Sequence, residues 1–138
     1  MKRIMLILLL LSAMLSLQAQ KLTVEKMEVA PMDLTASTQP RLDKNGNPCA
    51  LVRVMLKDSA PKFEGNVLGD VEQKGLQYMV YMSAGSKFLR IVPADHFPIM
   101  IAFDDFGIRK LEGKTTYELV LTGDNYNNEQ PQESAQPE

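Results

Sequence analysis

The chain has 138 residues, with 15 Lys and Arg against 17 Asp and Glu, one cysteine, one histidine and no tryptophan. A net charge of −2 with no basic run lacks the clustered cations on which phosphate-backbone recognition depends, so a nucleic-acid partner is excluded. A lone cysteine excludes an intramolecular disulfide, and the length suits one domain whose stability comes from packing alone.

Residues 1–19 read as a secretory signal peptide. Lys2 and Arg3 give the positive start, an apolar run follows from Ile4 to Leu17 broken only by Ser12 and Ser16, and Gln18-Ala19-Gln20 offers a cleavage point. The run is 14 residues long, short of the roughly 20 that a membrane-spanning helix needs. Cleavage would leave residues 20–138 with 13 basic and 17 acidic side chains, a net charge of −4, and no membrane span. No cysteine stands near the end of the run to carry a lipid. The expected destination is therefore the periplasm or the medium.

From Val24 onward, apolar residues recur with period two between turn residues, as in strands with one face in a core. Asp43-Lys-Asn-Gly-Asn-Pro48 predicts a turn, since Asn and Gly tolerate positive φ and proline stops pairing. In Ala50–Lys57, Val52, Val54 and Leu56 are expected inward, with Arg53 and Lys57 outward. In Leu76–Met82, residues Leu76, Tyr78, Val80 and Met82 are expected inward. Phe88–Val92 places Leu89 and Ile91 inward and Arg90 in water. Ile99–Phe103 groups Ile99, Ile101 and Phe103, and Thr116–Leu121 groups Tyr117, Leu119 and Leu121, with Glu118 outward. Further turns are expected at Gln73-Lys-Gly75, Ser83-Ala-Gly-Ser86 and Gly113-Lys114, and Pro93 and Pro98 separate two strands. No segment after residue 19 has ten residues of helical periodicity. The expected fold is all-β, a small antiparallel sandwich over residues 20–122. Residues 123–138 lack an aliphatic cluster to offset ordering entropy and read as a disordered tail or linker.

Side chains that carry chemistry are sparse. Cys49 reads either as a small apolar residue entering a strand or as an exposed thiol for intermolecular pairing. Asp105-Phe106-Gly107 spells the magnesium-binding triplet of protein kinases, but no Gly-rich loop, strand lysine or catalytic loop accompanies it. One His and one distant Cys are too few for a catalytic zinc. His96 lies near Asp95, Asp104 and Asp105, and these three carboxylates are candidate calcium ligands or simply a solvated acidic turn. Asp43, Asn45 and Asn47 have the alternate-oxygen spacing that opens a calcium loop, yet Val54 occupies the place of its bidentate Glu. No nucleophile-elbow pattern surrounds Ser83 or Ser86. No catalytic residue and no cofactor is therefore assigned.

The stretch Gly65-Asn-Val-Leu-Gly69, Tyr78-Met-Val-Tyr81 and Gly85-Ser-Lys-Phe-Leu-Arg-Ile91 resembles the PEGA-type modules of secreted bacterial proteins. The remainder, with Phe106-Gly-Ile108 and Thr116–Leu121, is similar to the variant at the N-terminus of exported Bacteroidetes proteins. Asp43-Lys-Asn-Gly-Asn-Pro48 is also similar to the opening of carboxypeptidase-regulatory-like domains. The resemblance spans about residues 24–121 and implies an Ig-like or prealbumin-like sandwich. Pro93-Ala-Asp-His-Phe97 departs from the family's Pro-Gly-aromatic turn. Asp58-Ser59-Ala60 is similar to the sequence at which Bacteroidetes attach O-glycans, which would modify Ser59; an ordinary polar loop is the other reading. Taken together, these features lead to an expectation of a non-catalytic extracytoplasmic module binding envelope proteins or carbohydrate. A calcium or small-ligand module and a small hydrolase stand as the alternatives.

Overall fold

The computed structural model of the chain describes residues 2–14, 21–57, 60–94 and 96–123. Helix α1, Lys2–Met14, is followed by strands β1 (Leu22–Val29), β2 (Ala50–Met55), β3 (Lys62–Glu64), β4 (Glu72–Lys74), β5 (Gln77–Met82), β6 (Phe88–Val92), β7 (Ile99–Ala102) and β8 (Thr116–Gly123), with a four-residue helix α2 (Thr35–Thr38) and a 3-10 turn at Phe103–Phe106. The fold is mostly strand, as the period-two patterning predicts. No described helix is long and apolar enough to cross a membrane.

The strands form two sheets, one ordered β1-β8-β2-β5-β4 and the other β3-β6-β7. Among the described residues every strand pairing is antiparallel except one: β2 runs parallel to β8, with Leu51 opposite Thr116 and Met55 opposite Val120. This corrects the purely antiparallel expectation. A parallel neighbour needs a crossover connection, and here the chain leaves β2, builds all three strands of the second sheet along with β4 and β5, and returns as β8.

One apolar core draws on both sheets. Met27, Val52, Val54, Tyr78, Val80, Met82, Tyr117, Leu119 and Leu121 of the larger sheet cluster with Leu89, Ile91 and Ile101 of the smaller one, together with Leu56, Phe103 and Leu111. The expected inward sets of β2, β6 and β8 all fall in this cluster. Leu76 does not. It follows Gly75, whose φ is +64°, in the two-residue connection between Lys74 and Gln77, and it is exposed. A turn position has no sheet face to obey, so the alternation breaks there.

The other face of the larger sheet is partly covered. Leu51 and Met79 pack with Ala36 of α2 in a second small cluster, with Tyr81 beside it. The Ala36 amide donates to Thr116 Oγ1 at 3.3 Å, tying α2 to β8. Leu51 is buried although its neighbours alternate, because the sheet is covered on both sides at that point.

By contrast, the described apolar side chains of α1 are open: Ile4, Met5, Leu6, Ile7 and Leu8 are all exposed. The described core begins with Leu22, and the exposed side chains of residues 4–8 take no part in it. The expected cleavage point at 18–20 and the expected tail lie outside the described residues, apart from Gly123, which is the last residue of β8.

Candidate functional site

The turns come first, because they decide which polar groups are left over. At Asp43–Pro48 the Asp43 carboxylate oxygen Oδ1 accepts the amides of Asn45 at 2.8 Å and Asn47 at 2.9 Å, while Gly46 adopts a φ of +81°. The oxygen that would open a calcium loop is spent on its own backbone, which is what an Asx turn does. The kinase-like triplet ends the 3-10 turn, where Gly107, at φ +79°, donates its amide back to Asp104 and Phe103 carbonyls. Its residues therefore build a turn closed by a left-handed glycine.

Cys49 and His96 are held apart. Cys49 is fully buried and its carbonyl accepts the Lys114 amide at 2.9 Å, just before β8 begins. His96 packs against Gly123 at the far end of that strand, so closely that a Cβ on Gly123 would lie 2.6 Å from the imidazole Nε2. The eight residues of β8 separate the two by about 25 Å. Burial pushes the Cys49 thiol up, the Asp43 charge adds to this, and Arg41 opposes it, so the group is held as a thiol and not as a nucleophilic thiolate.

Of the calcium candidates, Asp104 and Asp105 lie exposed on the 3-10 turn, and Asp95 and Ser59 fall outside the described residues. Among the described residues no three His, Cys, Asp or Glu side chains gather.

Asp104 and Asp105 do share a larger feature. They line an open groove of about 1140 Å³ running between the end of β1, the start of β8 and the turn after β7; Lys87, Phe88, Arg109, Lys110 and Glu112 line it with them. The β6 alternation places Leu89 and Ile91 in the core, which turns Phe88 out, 54% exposed. Phe106 stands exposed on the 3-10 turn. The groove floor is set by Tyr117, buried at the start of β8, whose hydroxyl accepts the Glu112 amide at 2.9 Å. Burial pushes the Tyr117 phenol up, against the hydrogen bond from the Glu112 backbone, so it stays protonated. The result is a concavity with an apolar patch and charges of both signs around it.

No protein-family model, curated protein or solved structure matches the chain. The chemistry of this groove and of its neighbours therefore carries the functional reading.

A second polar cluster lies on the outer face of the larger sheet. Arg53, expected in water, is instead covered by the segment that follows β1, and its guanidinium donates to Asp33 Oδ2 and, at 2.5 Å, to Gln77 Oε1. Asp33 Oδ1 also accepts the Thr35 amide at 3.0 Å and the Thr35 hydroxyl at 2.6 Å. Burial alone pushes the Asp33 carboxyl up, but the two Thr35 bonds and Arg53 outweigh it and hold the group below its ordinary value. Nothing near Arg53 in sequence points to Asp33, twenty residues away. This cluster fastens residues 33–38 to the sheet, and every strong acceptor in it already has a donor. The groove is the better candidate.

Sequence patterning missed most of the groove. Lys87, Arg109, Lys110 and Glu112 lie in connections, where no periodicity operates. For Phe88 the alternation of β6 shows that the ring faces out, but a single exposed aromatic gains meaning only as part of a patch, which the sequence does not assemble.

Proposed function

We propose that this chain is an exported, non-catalytic binding or scaffolding module that engages an envelope protein or carbohydrate through the groove beside the 3-10 turn. In this reading residues 1–19 are a signal peptide, the two sheets form a PEGA-like sandwich of Ig-like or prealbumin-like type, and the protein works in the periplasm or outside the cell. Support for export comes from the N-terminal pattern together with the exposure of the described apolar side chains Ile4 to Leu8 of α1. Support for a sandwich comes from the single core shared by the two sheets.

The observation that carries the binding reading is the groove itself. Phe88 offers a flat apolar face to a sugar ring or an aliphatic side chain, and Lys87, Arg109, Asp104 and Asp105 offer donors and acceptors around it. Concave sites combining a few polar groups with an apolar surface are where ligands orient and bind.

The test is a pull-down from envelope extracts with residues 20–138, comparing the natural sequence with the double variant Phe88→Asp/Arg109→Glu. A partner enriched by the former and lost with the latter is expected. No enrichment, or equal capture by both, contradicts the reading.

A further inference from the structure

Six charged side chains line the groove beside the 3-10 turn: Lys87, Arg109 and Lys110 against Asp104, Asp105 and Glu112. All six are exposed. Among the described residues, none of the six forms a salt bridge or a side-chain hydrogen bond within the protein. The sheets treat their charges differently: Lys26 bridges Glu28 and Glu118 at 3.4 Å each, Arg53 meets Asp33, and Arg90 meets Glu64. Three cations and three carboxylates thus face one concavity with no net charge, their side-chain hydrogen-bonding capacity unused by the protein.

This balance selects among ligand classes. A polyanion or a polycation would be attracted by half of these groups and repelled by the other half. A protein surface fits poorly too. The core of a protein–protein interface is depleted in Lys, Asp and Glu, because covering such a charge strips its water and leaves it unpaired. Five of the six groove charges are of these types. A polyol has neither difficulty. Each hydroxyl both donates and accepts, so it replaces water on a carboxylate and on an ammonium alike, and no charge is left dry. The apolar part of the groove suits the same ligand. Phe88 is 54% exposed and stands opposite Ala102 on β7, whose methyl group is too short to cover the ring. The face of an aromatic ring is electron-rich, and the C–H bonds on one side of a pyranose direct their hydrogens at such a face.

We infer that the groove takes a neutral glycan chain, with one sugar stacked on Phe88 and its neighbours hydrogen-bonded to Asp104, Asp105, Arg109 and Lys110. The inference rests on the groove being the binding surface and adds the class of ligand that it accepts. The groove volume of about 1140 Å³ exceeds the roughly 300–1,000 Å³ of a site for one small molecule, so several sugars in a row occupy it. Charge around the groove then orients hydroxyls and does not attract the ligand from a distance, since an uncharged chain has no Coulombic attraction to screen.

Calorimetric titration tests this on residues 20–138, which carry every residue of both apolar clusters. The probes are neutral hexasaccharides of glucose, mannose, galactose and xylose in their common linkages, with hexagalacturonate as the charged comparison. At least one neutral probe is expected to bind with a Kd between about 10 µM and about 1 mM. Raising NaCl from about 0.05 M to about 0.5 M should change that Kd by less than about twofold. Phe88→Ala should weaken binding about tenfold, whereas Phe88→Trp, which keeps a ring face, should retain it. Leu76→Ala, at an exposed site on the β4–β5 turn, should bind like the natural sequence. Far-UV circular dichroism checks that each variant keeps the fold. Silence from every neutral probe overturns the inference, as does tighter binding of hexagalacturonate, or binding undiminished in a folded Phe88→Ala variant. If the neutral probes are silent while the pull-down partner is still lost with Phe88→Asp/Arg109→Glu, the glycan inference falls and the groove stands as a protein-binding surface. If both experiments are silent, the groove reading falls with it.

Discussion

Asp33→Ala removes the carboxylate that joins α2 to the larger sheet, and its cost can be worked from the geometry. Asp33 loses two hydrogen bonds from Thr35, and bonds to a charged acceptor contribute about 1.5 kcal/mol or somewhat more each. It also loses Arg53. That side chain is 32% exposed against 12% for Asp33, so solvent screens the pair and its share is discounted to about 1 kcal/mol. Thr35 recovers part of its loss by bonding water once exposed. The expected destabilisation is about 2–3 kcal/mol, read by urea denaturation of residues 20–138 at pH 7. The pH dependence sharpens the test. Asp33 has a folded value below its ordinary one, so its contribution is complete above the unfolded value of about 3.9 and is lost as pH falls through the folded value. The gap between the natural chain and Asp33→Ala should hold steady from pH 7 to about 5 and shrink below about 4. A gap under about 0.5 kcal/mol at pH 7, or one that persists undiminished in acid, would refute the reasoning.

Three further outcomes follow from the packing. Phe103→Ala empties a fully buried position of the shared core and should cost about 3–5 kcal/mol in the same denaturation assay, a large part of a small domain's stability. Gly113→Ala sets a Cβ 2.5 Å from the Pro48 carbonyl oxygen; that atom is backbone and yields little, so the substitution should lower Tm, whereas Ala on open surface would not. Cys49 should resist a maleimide probe at neutral pH in native conditions and react fully in denaturant, because burial both covers the thiol and raises its value; prompt native labelling would contradict its placement.

How much of this was legible in the sequence divides along a physical line. Alternation located the inward faces of β2, β6 and β8, because each runs through one core and its side-chain period is fixed at two. The same rule mislaid Leu76, which sits in a hairpin turn, and it missed β3 and β4, whose three residues are too short to show a period. It also read Arg53 as solvated, because the Asp33 and α2 cover arrives from elsewhere in the chain. The Asp43 turn was readable since its chemistry is local, within four residues. The groove was not, because Val29 meets residues 87–117 there only through the tertiary fold and most of its polar lining stands in connections without a period.

The binding surface proposed for this protein is the groove beside the 3-10 turn. A photo-crosslinking amino acid placed at Phe88, and separately at Leu76 on the β4–β5 turn, tests this in intact cells. A discrete crosslinked adduct is expected from position 88 and none from position 76. Adducts equally abundant from both positions, or none from position 88, would contradict it.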